Sequence, residues 1–271
     1  TGSDNSVRIW TPAATKVIVA HEGACNDVAF VAAGAQFVSA GADKLAKLWN
    51  LDGTEVRKFE GATAALTSVA VKPDNTQLAA GGSDKFVYQW NIADAASTAK
   101  IETPAAVQDV TYGPQGTRLT AVGAAGALQV FDSVAGEILH ELKSETALSD
   151  VVFTPSGREL VTGGADKSLS MWAWASPVEV KSFAGHTGPV YDVTFAPDGK
   201  TIVSAGNDAT LRHWDLTAGT QIRQIAGHVG AVYQVAFNAN GTQIVSGGLD
   251  GTARIWAAAN GAAVKTLVQE D

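Results

Sequence analysis

A single cysteine, Cys25, stands in 271 residues, which excludes an internal disulfide. Charge is sparse as well: 17% of residues are Asp, Glu, Lys or Arg, the formal balance is -8, and Lys and Arg form no run. A chain of that sign, with no basic cluster, is a poor match for duplex nucleic acid or an anionic membrane surface. No apolar run approaches the length that spans a bilayer, and the opening residues TGSDNS read as neither the basic start nor the apolar core of a leader. Zinc-type Cys/His spacing, an EF-hand and a phosphate-cradling glycine loop ahead of a helix are all missing. His140 and His213 lie in strand-like runs without a partner at ligand spacing, so the sequence implies neither a metal nor another cofactor.

Glycine, by contrast, is plentiful at 28 residues, and the chain is full of short runs that alternate apolar and polar side chains. Pro189 to Asp215, PVYDVTFAPDGKTIVSAGNDATLRHWD, holds three of them, VYDVTF, TIVSAG and TLRHW. Between them APDGK and GNDA carry the Pro, Gly, Asp and Asn of turns, so this stretch is a three-strand meander. TQIRQIAG adds a fourth run before Gly227-His228 opens another copy, VYQVAFNANGTQIVSGGLDGTARIW. An aromatic anchor ends the third run of every copy. Trp10, Trp49, Trp90, Phe131, Trp172, Trp214 and Trp256 are spaced by 39, 41, 41, 41, 42 and 42 residues. Seven anchors in phase, four runs per period, a Gly-His near the start and a Trp-Asp near the end resemble the WD-repeat family. The resemblance covers the whole chain. It implies an all-β β-propeller of four-stranded antiparallel blades with seven blade positions.

On that frame residues 1–271 form one domain, each blade burying only against its neighbours. Residues 1–22 supply a half-blade, SVRIW and TKVIVA, the third and fourth strands alone. Complete blades are expected at about 23–61, 62–102, 103–143, 144–185, 186–227 and 228–271, the last ending in AVKTLVQ. The order of the surviving strands places the missing pair N-terminal to Thr1, as if the chain were an excerpt. SVRIW and TKVIVA are then expected to fill a seventh slot between the blades anchored by Trp49 and Trp256, with the inner edge of SVRIW unpaired.

The resemblance also implies a hydrogen-bonded set of four in each blade: a His before the first strand, a hydroxyl on the second, an Asp in the following turn and the anchor Trp. The matching residues are His21, Ser39, Asp43 and Trp49; His186, Ser204, Asp208 and Trp214; and His228, Ser246, Asp250 and Trp256. Such a set satisfies every buried polar group in it. Its Ser, His and Asp also have the composition of a nucleophilic triad, but recurrence in blade after blade with Trp attached fits packing, and no catalytic residue is assigned. The other blades depart from it, with Ala62, Ala80, Asp84 and Trp90; Thr103, Ala121, Ala125 and Phe131; and Ser144, Thr162, Asp166 and Trp172. Joint loss of all members in the Phe131 blade should cost little, because no partner is left stranded.

Two further positions recur. The first strands begin with a carboxylate in four blades, Asp27, Asp109, Asp150 and Asp192, with Ser68 and Gln234 in the other two. If alternation points Val28 and Phe30 into the blade, these carboxylates face water at the mouth of a central channel, as solvated caps or as an acidic ring for a basic peptide or a cation. The residues just before them, and those before each turn Asp, are where the family most often meets partners. Among these, Tyr191, Asn207, Tyr233 and Leu249 cluster in the last two blades with hot-spot chemistry. Trp174 has no equivalent in other copies and is expected to pack on a loop.

The expected function is therefore a non-catalytic scaffold that binds a protein or peptide, a basic one suiting the charge. Two other readings stay open at this point: an architectural module within a larger chain, and a propeller with a metal-binding or hydrolytic site in its channel.

Overall fold

The computed structural model describes residues 2–10, 15–31, 34–176 and 178–268. Strand β1 (Ser6–Trp10) pairs antiparallel with β2 (Thr15–Val19) in a two-stranded sheet. Next come β3 (Cys25–Val31), β4 (Gln36–Gly41), β5 (Ala46–Asn50) and β6 (Glu55–Phe59), each paired with its successor in sequence. The same order recurs behind first strands at Leu66–Val71, Val107–Tyr112, Leu148–Phe153, Val190–Phe195 and Val232–Phe237. The fold is thus an all-β propeller with six four-stranded antiparallel blades. Gln269, expected to close the final strand, lies outside the described residues.

The chain divides into two compact units, Thr1–Glu141 and Leu142–Asp271. Within each, a blade buries its faces against the next one in sequence. Second strands are covered on both sides, so they read as apolar or small throughout rather than alternating, and Val38, Ala40, Ile202, Val203 and Ala205 are fully buried. In the first unit, Trp90 and Leu78 pack on Leu48, Phe59 and Val38 of the preceding blade. The second unit repeats the scheme, with Trp214 and Ile202 on Leu169, Phe183 and Val161. No blade follows the last one within its unit, and there Val245 is 40% exposed.

In four of the complete blades the turn before the third strand is held by its aspartate. Asp43, Asp166, Asp208 and Asp250 each accept a hydrogen bond from the backbone N–H two residues on, at 3.0–3.2 Å. The intervening residue is left-handed: Lys44 at φ 71°, Lys167 at 69°, Ala209 at 63° and Gly251 at 71°. The repeated Asp-Lys pairs therefore mark a backbone requirement.

The alternation expected for the first strands fails at Phe30, which is 66% exposed, while its counterpart Tyr112 is only 7% exposed. Tyr112 packs against Ala79 and Val87 in the second and third strands of the blade before it. The sheet before Phe30 has only β1 and β2, which cover Phe37, Trp49 and Cys25 through Val7 and Ile18.

Candidate functional site

The polar residues singled out by their spacing fall into three constellations. In the first, the Trp49, Trp214 and Trp256 indoles donate to Ser39, Ser204 and Ser246 at 2.9 Å. Each serine hydroxyl also stands 2.7–2.8 Å from the Nε2 of His21, His186 or His228. The Nδ1 atoms lie 2.8–3.0 Å from Asp43, Asp208 and Asp250. One proton arrangement satisfies the whole chain of contacts: indole N–H to hydroxyl, hydroxyl to Nε2, and Nδ1–H to carboxylate. Burial lowers the His21 and His186 pKa values below the usual imidazole range, an effect that the aspartates only partly offset. The same burial pushes the Asp43 and Asp208 carboxyls up. Backbone donors from Glu22 and Thr187, together with the histidines, outweigh it and hold both below the usual carboxylate range. Because the serine oxygens are buried and already accept from indole, none is presented to a substrate as a nucleophile.

Blades lacking the full set solve the same problem locally. Trp172 donates to Thr162 at 2.9 Å. Trp90, with Ala80 where the hydroxyl would be, donates instead to the Glu60 carbonyl at 2.9 Å. In that blade the Tyr88 hydroxyl donates to Asp84 at 2.7 Å and its ring stacks on Trp90, 5.6 Å between centroids. Sequence spacing alone missed Tyr88, since it lies two residues before the anchor, where other blades hold Lys, Arg, Ser or Gln. In the blade that Phe131 anchors, a small pocket is lined by Thr103, Ala121 and Gln129, the first two standing where other blades carry the histidine and the hydroxyl. Trp174 donates to the Gly157 carbonyl at 2.9 Å, a loop contact.

The second constellation corrects the expectation of solvated channel caps. Asp27 accepts from Val69 N–H at 2.8 Å, Asp150 from Val193 N–H at 2.7 Å and Asp192 from Val235 N–H at 2.6 Å. Ser68 takes the same role toward Val110 N–H at 3.3 Å and donates to Asp109 at 2.6 Å. Each of these side chains clamps the first strand of the next blade. A β-bulge re-aims them: register shifts between Cys25 and Asp27, Leu66 and Ser68, Leu148 and Asp150, and Val190 and Asp192. Burial, with the Asp109 charge adding to it, pushes the Asp27 carboxyl up to about 7 despite the Val69 donor. Among the described residues, no group of three or more His, Cys, Asp or Glu could hold a metal ion.

The third constellation occupies the bulges themselves. Tyr191 and Tyr233 are the extra residues in adjacent first strands, and their rings lie 5.3 Å apart. Asn207 donates to the Tyr191 hydroxyl at 2.8 Å. Tyr233, Leu249 and Val229 are exposed, so an aromatic pair with an apolar rim meets solvent on the last two blades.

Four-stranded blades, three of them locked by an indole–hydroxyl–imidazole–carboxylate chain, define a repeat propeller. The family model for the WD domain, G-beta repeat, matches residues 13–50, 53–91, 136–173, 177–215 and 219–257, more than half of the sequence. The chain belongs to the WD40-repeat family. The matches skip residues 92–135, the stretch that holds Phe131 and has lost the polar set. No curated protein sequence matches the chain. Propellers of this family are commonly protein-interaction scaffolds and are generally non-catalytic, and none of the described helices is long and apolar enough to cross a membrane.

Proposed function

We propose that this propeller is a non-catalytic scaffold that presents Tyr191, Asn207, Tyr233 and Leu249 to a protein or peptide partner. The observation that carries this reading is the paired tyrosines, placed on neighbouring bulges and left open beside exposed Leu249 and Val229. Rigid aromatics with a polar tip bury large area at little entropic cost, which is why they dominate binding hot spots. The formal charge of -8 favours a basic partner through steering.

The test is the double variant Tyr191→Ala/Tyr233→Ala. Its melting temperature should stay close to that of the parent, while partners retained by the parent in affinity capture are lost. Equal capture by parent and variant would remove these tyrosines from the interface.

A further inference from the structure

In chain order, the position just past each bulge residue holds Asp27, Ser68, Asp109, Asp150, Asp192 and Gln234. Ser68 is the one hydroxyl in that series, and it stands between two carboxyl groups, all three within the first unit. It is buried, whereas Asp27 and Asp109 are half-buried. Its Oγ lies 2.6 Å from Asp109 Oδ1, receives Val110 N–H at 3.3 Å and is also hydrogen-bonded to the Asp27 carboxyl. Asp27 in turn receives Val28 N–H and Val69 N–H, each at 2.8 Å. A single hydroxyl thus touches carboxyl groups from the blade before it and the blade after it.

Protons are the scarce component of this arrangement. A serine hydroxyl has a single proton to give, and an ionised carboxylate can only accept. If Asp27 and Asp109 are both ionised, Ser68 serves one of them, and the other turns a charged oxygen toward the lone pairs of Oγ. One carboxylic proton makes both contacts good: Ser68 donates to Asp109 while Asp27 donates to Ser68, or the same chain runs in the opposite sense. Repulsion acts in the same direction, because the Asp109 charge disfavours a charge on Asp27.

We propose that Asp27 and Asp109 share one proton through Ser68, forming a proton-closed clasp across the first strands of three successive blades. Loss of that proton breaks one of its two hydrogen bonds and leaves like charges on either side of a buried oxygen. The surrounding elements leave the proton to this pair. β4 and the strands Leu66–Val71 and Gln77–Gly82 carry no titratable side chain. Burial pushes the Cys25 thiol on β3 and the Tyr112 phenol on the Asp109 strand up to about 12, so neither ionises near neutrality. Arg8 on β1 is paired with Asp4 at 2.7 Å, Arg118 lies 3.5 Å from Asp132, and Tyr88 donates to Asp84. The Asp27 carboxyl is raised to about 7, so the clasp is closed below that pH and opens as pH rises through it. This inference does not depend on the Tyr191–Tyr233 surface.

The test follows the carbon-13 carboxyl resonances of Asp27 and Asp109 through a pH titration of the whole protein, each assigned by its loss in the Asp27→Asn or Asp109→Asn variant. Both are expected to move together in one step near pH 7, because the proton belongs to the pair. In Asp109→Asn the side-chain amide donates to Ser68, whose own proton turns to Asp27, and the Asp27 midpoint should fall by about one to three pH units. Ser68→Ala keeps both carboxyl groups but deletes the bridge, and should separate their titrations. Hydrogen exchange at the Val69 and Val110 amides, corrected for intrinsic base catalysis, should quicken across the same step. An Asp109 resonance that stays still through the Asp27 step overturns the proposal, and the parent protein alone supplies that reading if a variant fails to fold. It is equally overturned by an unchanged Asp27 midpoint in Asp109→Asn, by a step that remains joint in Ser68→Ala, or by corrected exchange rates that do not change.

Discussion

At the scale of single residues, stability rests on side chains that are both large and polar-tipped. Trp214 is fully buried and donates to Ser204, which also serves His186. Trp214→Ala should cost about 3–5 kcal/mol, combining a cavity with a stranded hydroxyl and imidazole. Phe131 is equally buried but touches no such network, so Phe131→Ala should act through volume alone. Chemical unfolding of both variants checks this, and a Trp214→Ala protein within half a kcal/mol of the parent, roughly the scale of a neutral surface change, would refute the network's role. The polar sets were legible from sequence because their members keep fixed offsets, 18 residues from His to Ser and 10 from Ser to Trp. Tyr88 was not, since its hydroxyl reaches Asp84 by a different route from the one the spacing encodes.

At the scale of strands and blades, the anchor period was enough to read the fold, because four alternating runs per 39–42 residues leave few architectures open. The bulges were hidden. A bulge adds one residue without any composition of its own, and strict alternation therefore sent Phe30 inward and Asp27 toward water. Once the bulge is included, the carboxylates become links between blades. Asp150→Ala leaves the buried Val193 N–H without its acceptor and should cost about 1–3 kcal/mol. Hydrogen exchange at Val193 should accelerate in that variant more than exchange at Leu211, which lies in the third strand of the same blade. Uniform acceleration at both would show that Asp150 does not act at this junction.

For the molecule as a whole, these groups set opposed responses to pH. His21 and His186 titrate below their usual value of about 6.5 when folded, so their stabilising contribution is present above that pH and is lost on acidification. Asp43 and Asp208, also depressed, add a further loss below the usual carboxylate range. Asp27 runs the other way: raised to about 7, it favours the folded state fully only below the usual aspartate value and weakens it as pH rises through about 7. Asp27→Asn should therefore flatten the fall in stability between about pH 4 and 7, read by denaturant titration at each pH. An unchanged slope would show that Asp27 is already ionised in the folded protein. The links between blades also have a direction in time. Asp27, Ser68, Asp150 and Asp192 each precede the backbone N–H they receive by 42 or 43 residues. On a ribosome adding about 5–20 residues per second, each such side chain leaves the exit tunnel about 2–8 seconds before its partner. For that interval it keeps its water, and only the arrival of the next blade strips that water away, so the propeller is stitched from its N-terminal side in the order in which it is made.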